Sequence, residues 1–330
     1  MTTTPTTHVP EGAARPLRLG TRRSALAKAQ SQRVADAVAA HAGRPVELVE
    51  ITTYGDRSRA HLAQIGGTGV FVTALRDALL RGDIDFAVHS LKDLPTAQPE
   101  ELVIAAVPRR EDPRDVLVAR DGLTFDALPD GARVGTGSAR RSAQLLAHAR
   151  GIGRAIRIVP VRGNIDTRIG YVRGGELDAV VLAAAGLNRL GRSGEVTDAL
   201  SAGTVLPAPG QGALAVECAA VNVDLAALLA ELDDPGTRVA VTAERSLLAA
   251  LEAGCTAPVG ALADLLADGQ IVNEMRLRGV VGTADGSTLV QLSTTGPVPV
   301  SHQDAIALGR ELASEMLAKG AAGLMGERAL

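Results

Sequence analysis

Tryptophan is absent from this 330-residue chain, aromatic residues make up 2% of it, and it has two cysteines, Cys218 and Cys255. The core must therefore be built from Ala, Val, Leu and Ile. Two cysteines are too few for a disulfide scaffold or a four-cysteine zinc site. No apolar run approaches the roughly 20 residues needed to span a bilayer. The segment from Met1 to Glu11 is Thr- and Pro-rich, with neither a basic start nor an apolar stretch, so it is not expected to be a signal peptide. Residues 1–14 are expected to form a disordered tail. What is present is a 46% apolar chain, enough for a sizeable core and long enough for two or three domains. A globular, cytoplasmic protein without membrane attachment is expected.

Net charge is −3, which argues against a general nucleic-acid binder. The distribution is more informative. Only Lys28, Lys92 and Lys319 are lysines, and the other basic residues are all Arg. Between Arg133 and Arg192 eleven Arg stand against Asp166, Glu176 and Asp178, a local excess of eight positive charges. Arg offers a planar fork suited to carboxylate or phosphate. An Ala-, Gly- and Arg-rich composition also follows from a GC-rich genome, so position has to decide between the two.

Short β-rich runs alternate with helical patterns. Strands are expected at Leu17–Gly20, Val46–Thr52, Asp85–Val88, Leu102–Val107, Val116–Ala119, Arg133–Gly135, Ile156–Val161, Ala179–Ala183 and Ala213–Glu217. Helices are expected at Ala25–Ala42, Val70–Leu80, Ala139–Ala149 and Ile165–Val172. This alternation predicts an α/β protein with parallel-rich mixed sheets and sites beyond the carboxyl ends of the strands. After about Asp233 a helix to Glu252, strands near Ile271–Val281 and Thr288–Ser293, and a helix over Gln303–Leu317 suggest a smaller α+β unit. Pro108–Pro113 and Leu206–Gly212 read as turn-rich crossovers, with Gln211 and Gly212 as hinge residues. Domain 1 would then comprise 15–110 and 210–232, an inserted domain 2 would span 114–206, and domain 3 would span 233–330.

Arg placement carries most of the chemical signal. Cations in a first helical turn cost a few tenths to about 1 kcal/mol against the helix dipole. Yet Arg22 and Arg23 precede the helix capped by Ser24, Arg140 and Arg141 follow Ser138, and Arg162 and Arg168 flank the next helix start. An anion at each N-terminus would offset that cost. Several such sites in one cleft suggest a ligand with several carboxylates. In V-H-S-L-K-D-L-P (Val88 to Pro95), Lys92 and Asp93 end a strand at the expected rim. A carboxylate there can hydrogen-bond an N–H-bearing reacting centre; a solvated Lys-Asp turn is the plain alternative. His89 alone makes no metal constellation, and no metal is expected.

Cys218, in A-V-E-C-A-A, reads as a small core residue. Cys255 lies in the turn A-G-C-T-A-P-V after a helix, with no His or Lys nearby in sequence. This argues against a turnover nucleophile. It leaves a structural thiol, which sequence physics favours, or a thiol modified once and kept. The Gly-rich loop from Gly55 to Gly69 is either a lid or a plain surface loop.

Together these residues closely resemble the hydroxymethylbilane synthase (porphobilinogen deaminase) family. The resemblance runs from Leu17 to Leu317 through T-R-R-S-A-L-A at 21–27, H-S-L-K-D-L-P at 89–95, R-E-D-P-R-D at 110–115 and G-T-G-S-A-R-R at 135–141. It continues through R-G-N-I-D-T-R at 162–168, A-A-G-L-N-R-L-G at 184–191, P-G-Q-G-A-L at 209–214 and G-C-T-A-P-V-G at 254–260. Each is weak alone, but their order is specific.

The resemblance implies two domains like type II periplasmic binding proteins and a third carrying the cofactor cysteine. It implies that Cys255 holds a dipyrromethane cofactor by a thioether and that Asp93 is the catalytic carboxylate. Asp93 would bind pyrrole N–H groups, assist ammonia loss from porphobilinogen and stabilise a cationic azafulvene. Four cycles would extend the primer, and water would release hydroxymethylbilane, the substrate of uroporphyrinogen III synthase. Arg22, Arg140, Arg141, Arg162, Arg168 and Arg189 would bind the acetates and propionates, with Ser24, Ser90, Thr136 and Ser138 as hydrogen-bond partners. Lys92 would pair with a cofactor carboxylate, and Gly67 and Phe71 would belong to the lid. A monomer is implied. Thr68 and Thr73 stand where Lys is frequent, and Ala139 where Leu is common, so cations beside the lid are fewer.

A non-catalytic polycarboxylate-binding protein of the same architecture would explain the Arg pairs and crossovers but not Cys255 or Asp93. A DNA-binding regulator would need an N-terminal helix-turn-helix, and a cysteine hydrolase would need a base for Cys255.

Overall fold

The computed structural model describes residues 15–52, 69–252, 257–269 and 271–325. The expected tail, most of the expected lid including Gly67 and Thr68, and Cys255 lie outside the described residues. The side chain of Phe71 does so too, although its backbone lies in a helix.

The first sheet is built from β1 (Leu17–Thr21), β2 (Val46–Glu50), β3 (Phe86–Ser90), β4 (Leu102–Ala106) and β10 (Leu214–Ala219), in the order β2-β1-β3-β10-β4. β1 runs parallel to β2 and β3, whereas β10 runs antiparallel to β3 and β4. The β1–β2 crossover is α1 (Ala25–Ala42), started by the Ser24 side chain accepting from the Ala27 N–H at 3.2 Å. A second helix, α2 (Gly69–Leu80), leads into β3. Leu19, Phe86, Val216 and Cys218 are fully enclosed in the core on one face of this sheet. Each large apolar side chain buried there contributes about 1.5–3 kcal/mol.

The second sheet repeats the plan. It contains β5 (Asp115–Ala119), β6 (Ala132–Gly135), β7 (Ile156–Val159), β8 (Ala179–Ala183) and β9 (Asp198–Ala199), in the order β7-β6-β8-β5-β9. β6 runs parallel to β7 and β8, and β5 antiparallel to β8 and β9. The connecting helices are α3 (Ala139–Gly151), α4 (Ile165–Arg173) and α5 (Ala184–Arg189). In each sheet the strand antiparallel to both neighbours follows a crossover: β5 follows Pro108–Pro113, and β10 follows Leu206–Gly212. The chain therefore leaves the first sheet once and returns once.

Two helices, α6 (Val223–Ala230) and α7 (Pro235–Ala250), lead to a third, antiparallel sheet of β11 (Val259–Asp268), β12 (Ile271–Gly282) and β13 (Leu289–Pro297). It packs with α7 and α8 (His302–Ala318) around Leu247, Met275, Leu277 and Leu312. Nothing in the local sequence marks β11, whose A-L-A-D-L-L-A-D run is made of helix formers. It is a strand because it pairs with β12 along its whole length and because the Ala263 N–H donates to Glu244 at 2.9 Å. Tertiary pairing here overrides propensity. No described helix is long and apolar enough to cross a membrane.

The crossovers are bound to each other and to α7. Gly212 has φ +89°, and a Cβ there would lie 2.5 Å from the carbonyl oxygen of Glu111. Only glycine permits that approach, in which the Glu111 N–H donates to the Gly212 carbonyl at 3.2 Å. Buried Glu244 of α7 accepts from both Arg110 terminal nitrogens at 2.6 and 3.0 Å and from the Gly210 N–H at 2.7 Å.

Candidate active site

β3 ends in a tight 3-10 turn, Leu91–Asp93. Leu91 and Leu94 are buried and anchor the turn in the core, while the Leu91 N–H donates to the Ala213 carbonyl at 3.0 Å. Arg245 of α7 donates to the carbonyls of Leu91, Leu94 and Pro95 at 3.2, 3.0 and 2.6 Å. The turn is therefore rigidly held from beneath, and Asp93 stands exposed upon it. Ser90, at the strand end, exchanges hydrogen bonds with Gln30 of α1 at 3.2 and 3.4 Å.

Lys92 is half-buried and donates to Gln211 Oε1 at 3.2 Å. Burial pushes its ammonium down to about 8; Arg141 and Arg140 add to that, while Asp93 and Asp115 oppose it. These four residues thus all lie within electrostatic reach of Lys92.

The opposite wall comes from the second sheet. After β6 the chain turns through Thr136, Gly137 and Ser138 into α3. The buried Thr136 hydroxyl accepts from the Ser138 N–H at 3.2 Å, and the Ser138 hydroxyl caps α3 by accepting from the Arg141 N–H. Both Arg of that first turn point inward to the fully buried carboxylate of Asp115 on β5. Arg140 donates to it at 2.7 Å and to the Leu206 carbonyl at 2.6 Å. Arg141 donates to Asp115 at 2.7 and 3.1 Å and to the Val181 carbonyl at 2.9 Å. These two cations hold the Asp115 carboxyl far below the usual carboxylate range, against the burial that would raise it. The cost of two cations at a helix start is thus met by an internal carboxylate on β5. The offset expected from an external anion is therefore supplied, at least in part, from within the protein.

Below this lies the start of α4, capped by Asn164, whose side chain accepts from the Thr167 N–H at 2.9 Å. Arg168 Nε donates to the Gly163 carbonyl at 2.9 Å. Burial lowers the Arg168 guanidinium, and Arg141 and Arg162 lower it further, so all three share one positive field. Arg22 lies half-buried before α1, whereas Arg23 is exposed with Glu50 at 3.8 Å.

The structure therefore brings together Lys92, Asp93, Arg140, Arg141, Arg162 and Arg168. Arg189 sits apart, at the crossover, where it donates to the Gly212 carbonyl at 2.6 Å beside Glu111. Gln211 is fully buried and donates to the Pro113 carbonyl at 2.7 Å and to Asp115 at 2.9 Å. Three residues with evident roles here escape a sequence reading. Asp115 ends the R-E-D-P-R-D motif but has no local mark of burial. Gln30 and Glu244 lie in ordinary helical runs. Cys218 behaves as expected, with burial and the nearby Glu217 pushing its thiol up to about 11.

Five cations thus face two carboxylates, one buried and committed to Arg140 and Arg141, the other exposed. Such a site suits a ligand carrying several carboxylates and a polar N–H. Asp93 is the carboxylate open to hydrogen-bond or proton exchange.

Residues 17–227 match the family model "Porphobilinogen deaminase, dipyromethane cofactor binding domain", and residues 238–318 match "Porphobilinogen deaminase, C-terminal domain". The chain is 80% identical to porphobilinogen deaminase 1 of Streptomyces avermitilis, over 94% of this chain and 98% of the relative. It is 57% identical to porphobilinogen deaminase of Thermobifida fusca, over 93% and 94%. Identity to the Mycobacterium tuberculosis porphobilinogen deaminase is 52%, over 94% and 98%. Among solved structures, a periplasmic substrate-binding protein of an ABC transporter from Coxiella burnetii aligns at 15% identity and TM-score 0.42, over 67% of this chain and 93% of that one.

Proposed function

The chain belongs to the porphobilinogen deaminase family, and from that premise we propose which of its residues carry the reaction and how. It is a transferase that condenses four porphobilinogen molecules head to tail, with loss of ammonia, to give hydroxymethylbilane for tetrapyrrole synthesis. Its cofactor is dipyrromethane, which when bound supplies the nucleophilic pyrrole carbon on which the chain is built.

The donor set fits such a group. Each pyrrole carries two carboxylates and one N–H, and the site offers five cations around one exposed carboxylate. Lys92, Arg140, Arg141, Arg162 and Arg168 would hold carboxylates of cofactor and substrate. Arg22, Ser24, Ser90, Thr136 and Ser138 would contribute at the rim, and Arg189 near the crossover. Three Arg141 N–H groups are spent on Asp115 and Val181, so Arg141 would act on a ligand mainly through its charge and its remaining N–H groups.

Asp93 is the proposed catalytic residue. Its carboxylate would accept hydrogen bonds from pyrrole N–H groups and stabilise positive charge that develops as ammonia leaves. Its oxygen would then take up the proton lost when the new bond is complete. The observation that carries this reading is an exposed Asp93 on a turn pinned by Arg245 beside five cations. Cys255 would attach the cofactor by a thioether.

We further propose that the three sheets define separate bodies, 15–110 with 210–232, 114–206, and 233–330, turning about the crossovers. The protein would be a cytoplasmic monomer whose product passes to uroporphyrinogen III synthase.

The test is intact mass with peptide mapping around Cys255, followed by incubation with porphobilinogen. Two linked pyrrole units on Cys255 and ammonia release are expected. An unmodified Cys255 that gains nothing from porphobilinogen would indicate a binding protein that only shares the fold.

A further inference from the structure

A second basic site, which shares Arg189 with the carboxylate-binding set above, lies where α1, the first crossover and α5 meet. There a cavity of about 450 Å³ is lined by Arg33, Arg109, Arg110, Glu111 and Arg189 over an apolar floor that includes Leu214. None of Lys92, Asp93, Arg140, Arg141, Arg162 or Arg168 lines it. The volume falls in the range of small-molecule sites.

The charges do not balance. Arg110 is committed to Glu244. That leaves the guanidiniums of Arg33, Arg109 and Arg189 against Glu111, which also accepts from Asn188 at 3.1 Å and from the Asp112 N–H at 2.8 Å. Burial lowers the Arg189 guanidinium to about 10, with Glu111 opposing and Arg33 adding to the effect. Like charges are therefore gathered at a partly desolvated place with one carboxylate between them. Arg33 and Arg109 present exposed side chains to the mouth.

We propose that this crossover pocket binds a small polyanion of two or three charges, its oxyanions taken by the forks of Arg33 and Arg109 above Arg189. Phosphate and carboxylate groups both present a pair of oxygens that these planar forks take bidentately. Because Arg33 belongs to α1 of the first sheet's unit and Arg189 to α5 of the second's, one ligand would tie the two units across the crossover. Occupancy would then favour one inter-unit angle over others. The inference is tested on Arg33 and Arg109, which have no part in the proposed reaction, and it does not depend on the roles of Asp93 and Cys255.

The experiment is calorimetric titration of the holoenzyme, whose cofactor occupies the cleft, with pyrophosphate and, in a parallel arm, with citrate. The proteins are wild type, Arg33→Ala/Arg109→Ala and Arg162→Ala. Wild type should show one site, weakened about tenfold or more in the double variant through loss of charge-assisted bonds, and retained in Arg162→Ala. Arg33→Lys/Arg109→Lys should fall between. Tighter pyrophosphate assigns the site to phosphates, and tighter citrate to carboxylates. Porphobilinogen turnover without added anion should be unchanged in the double variant, which also establishes that it folds. Absence of binding to wild type overturns the proposal, as does equal affinity in the double variant or loss in Arg162→Ala instead.

Discussion

Lys92 Nζ donates to the side-chain oxygen of Gln211 at 3.2 Å, linking the turn that carries Asp93 to the second crossover. Gln211 in turn donates to Asp115, the buried partner of Arg140 and Arg141. The reacting turn, the hinge and the cationic wall are thus one hydrogen-bonded system, and its titration has consequences.

In protein freed of cofactor, Lys92 should lose its proton with a midpoint near 8, instead of the ordinary 10.5. Its charge is then available to a carboxylate below that pH and lost above it, so carboxylate binding should weaken as pH rises through 8. Stability moves the other way. Between about 8 and 10.5 the unfolded chain holds a proton the folded one lacks, so this group makes stability rise with pH. With three lysines in the chain, side-chain NMR against Lys92→Arg reads the midpoint directly. A value near 10.5 would remove the desolvated setting described for Lys92.

Asp93→Asn should fold normally, because the side chain is exposed. Turnover of porphobilinogen should fall by about 10²–10⁴-fold, the usual worth of a positioned acid–base group. Melting temperature and ammonia release measured on the same preparation separate the two effects. A wild-type rate would take Asp93 out of the mechanism.

Asp115→Ala should leave Arg140 and Arg141 buried without their carboxylate, at a cost of about 3–5 kcal/mol. Denaturant unfolding measures it. A loss below about 1 kcal/mol, typical of exposed pairs, would mean that the triad does not hold the wall in place.

Cys255→Ser should yield protein with no pyrrole adduct by intact mass, whereas Cys218→Ser should load as wild type does. Cys218 is enclosed in the first sheet's core, and its thiol is pushed up to about 11, so no thiolate forms there near neutrality. An adduct on Cys255→Ser would transfer the attachment to another residue.

Most β and α elements of the first two sheets were legible along the chain, because alternating apolar runs, Ser24 and Ser138 as caps, and turn-rich crossovers are local signals. The Arg-bearing helix starts at 22, 140 and 162 were legible for the same reason, and so was the Lys92–Asp93 pair at a strand end. Local sequence signals set the repertoire of groups and their order along the chain. Tertiary structure alone decided that 259–268 is a strand, since its partner lies in β12 and its anchor in α7. It decided that Arg140 and Arg141 turn inward, since Asp115 meets them only when β5 and α3 pack together. It also decided that Arg189 joins Arg33 and Glu111 at the crossover and not the Lys92 cluster. The reason in each case is that burial and partnership arise between residues far apart in the chain. No local pattern records which buried carboxylate a cation will find.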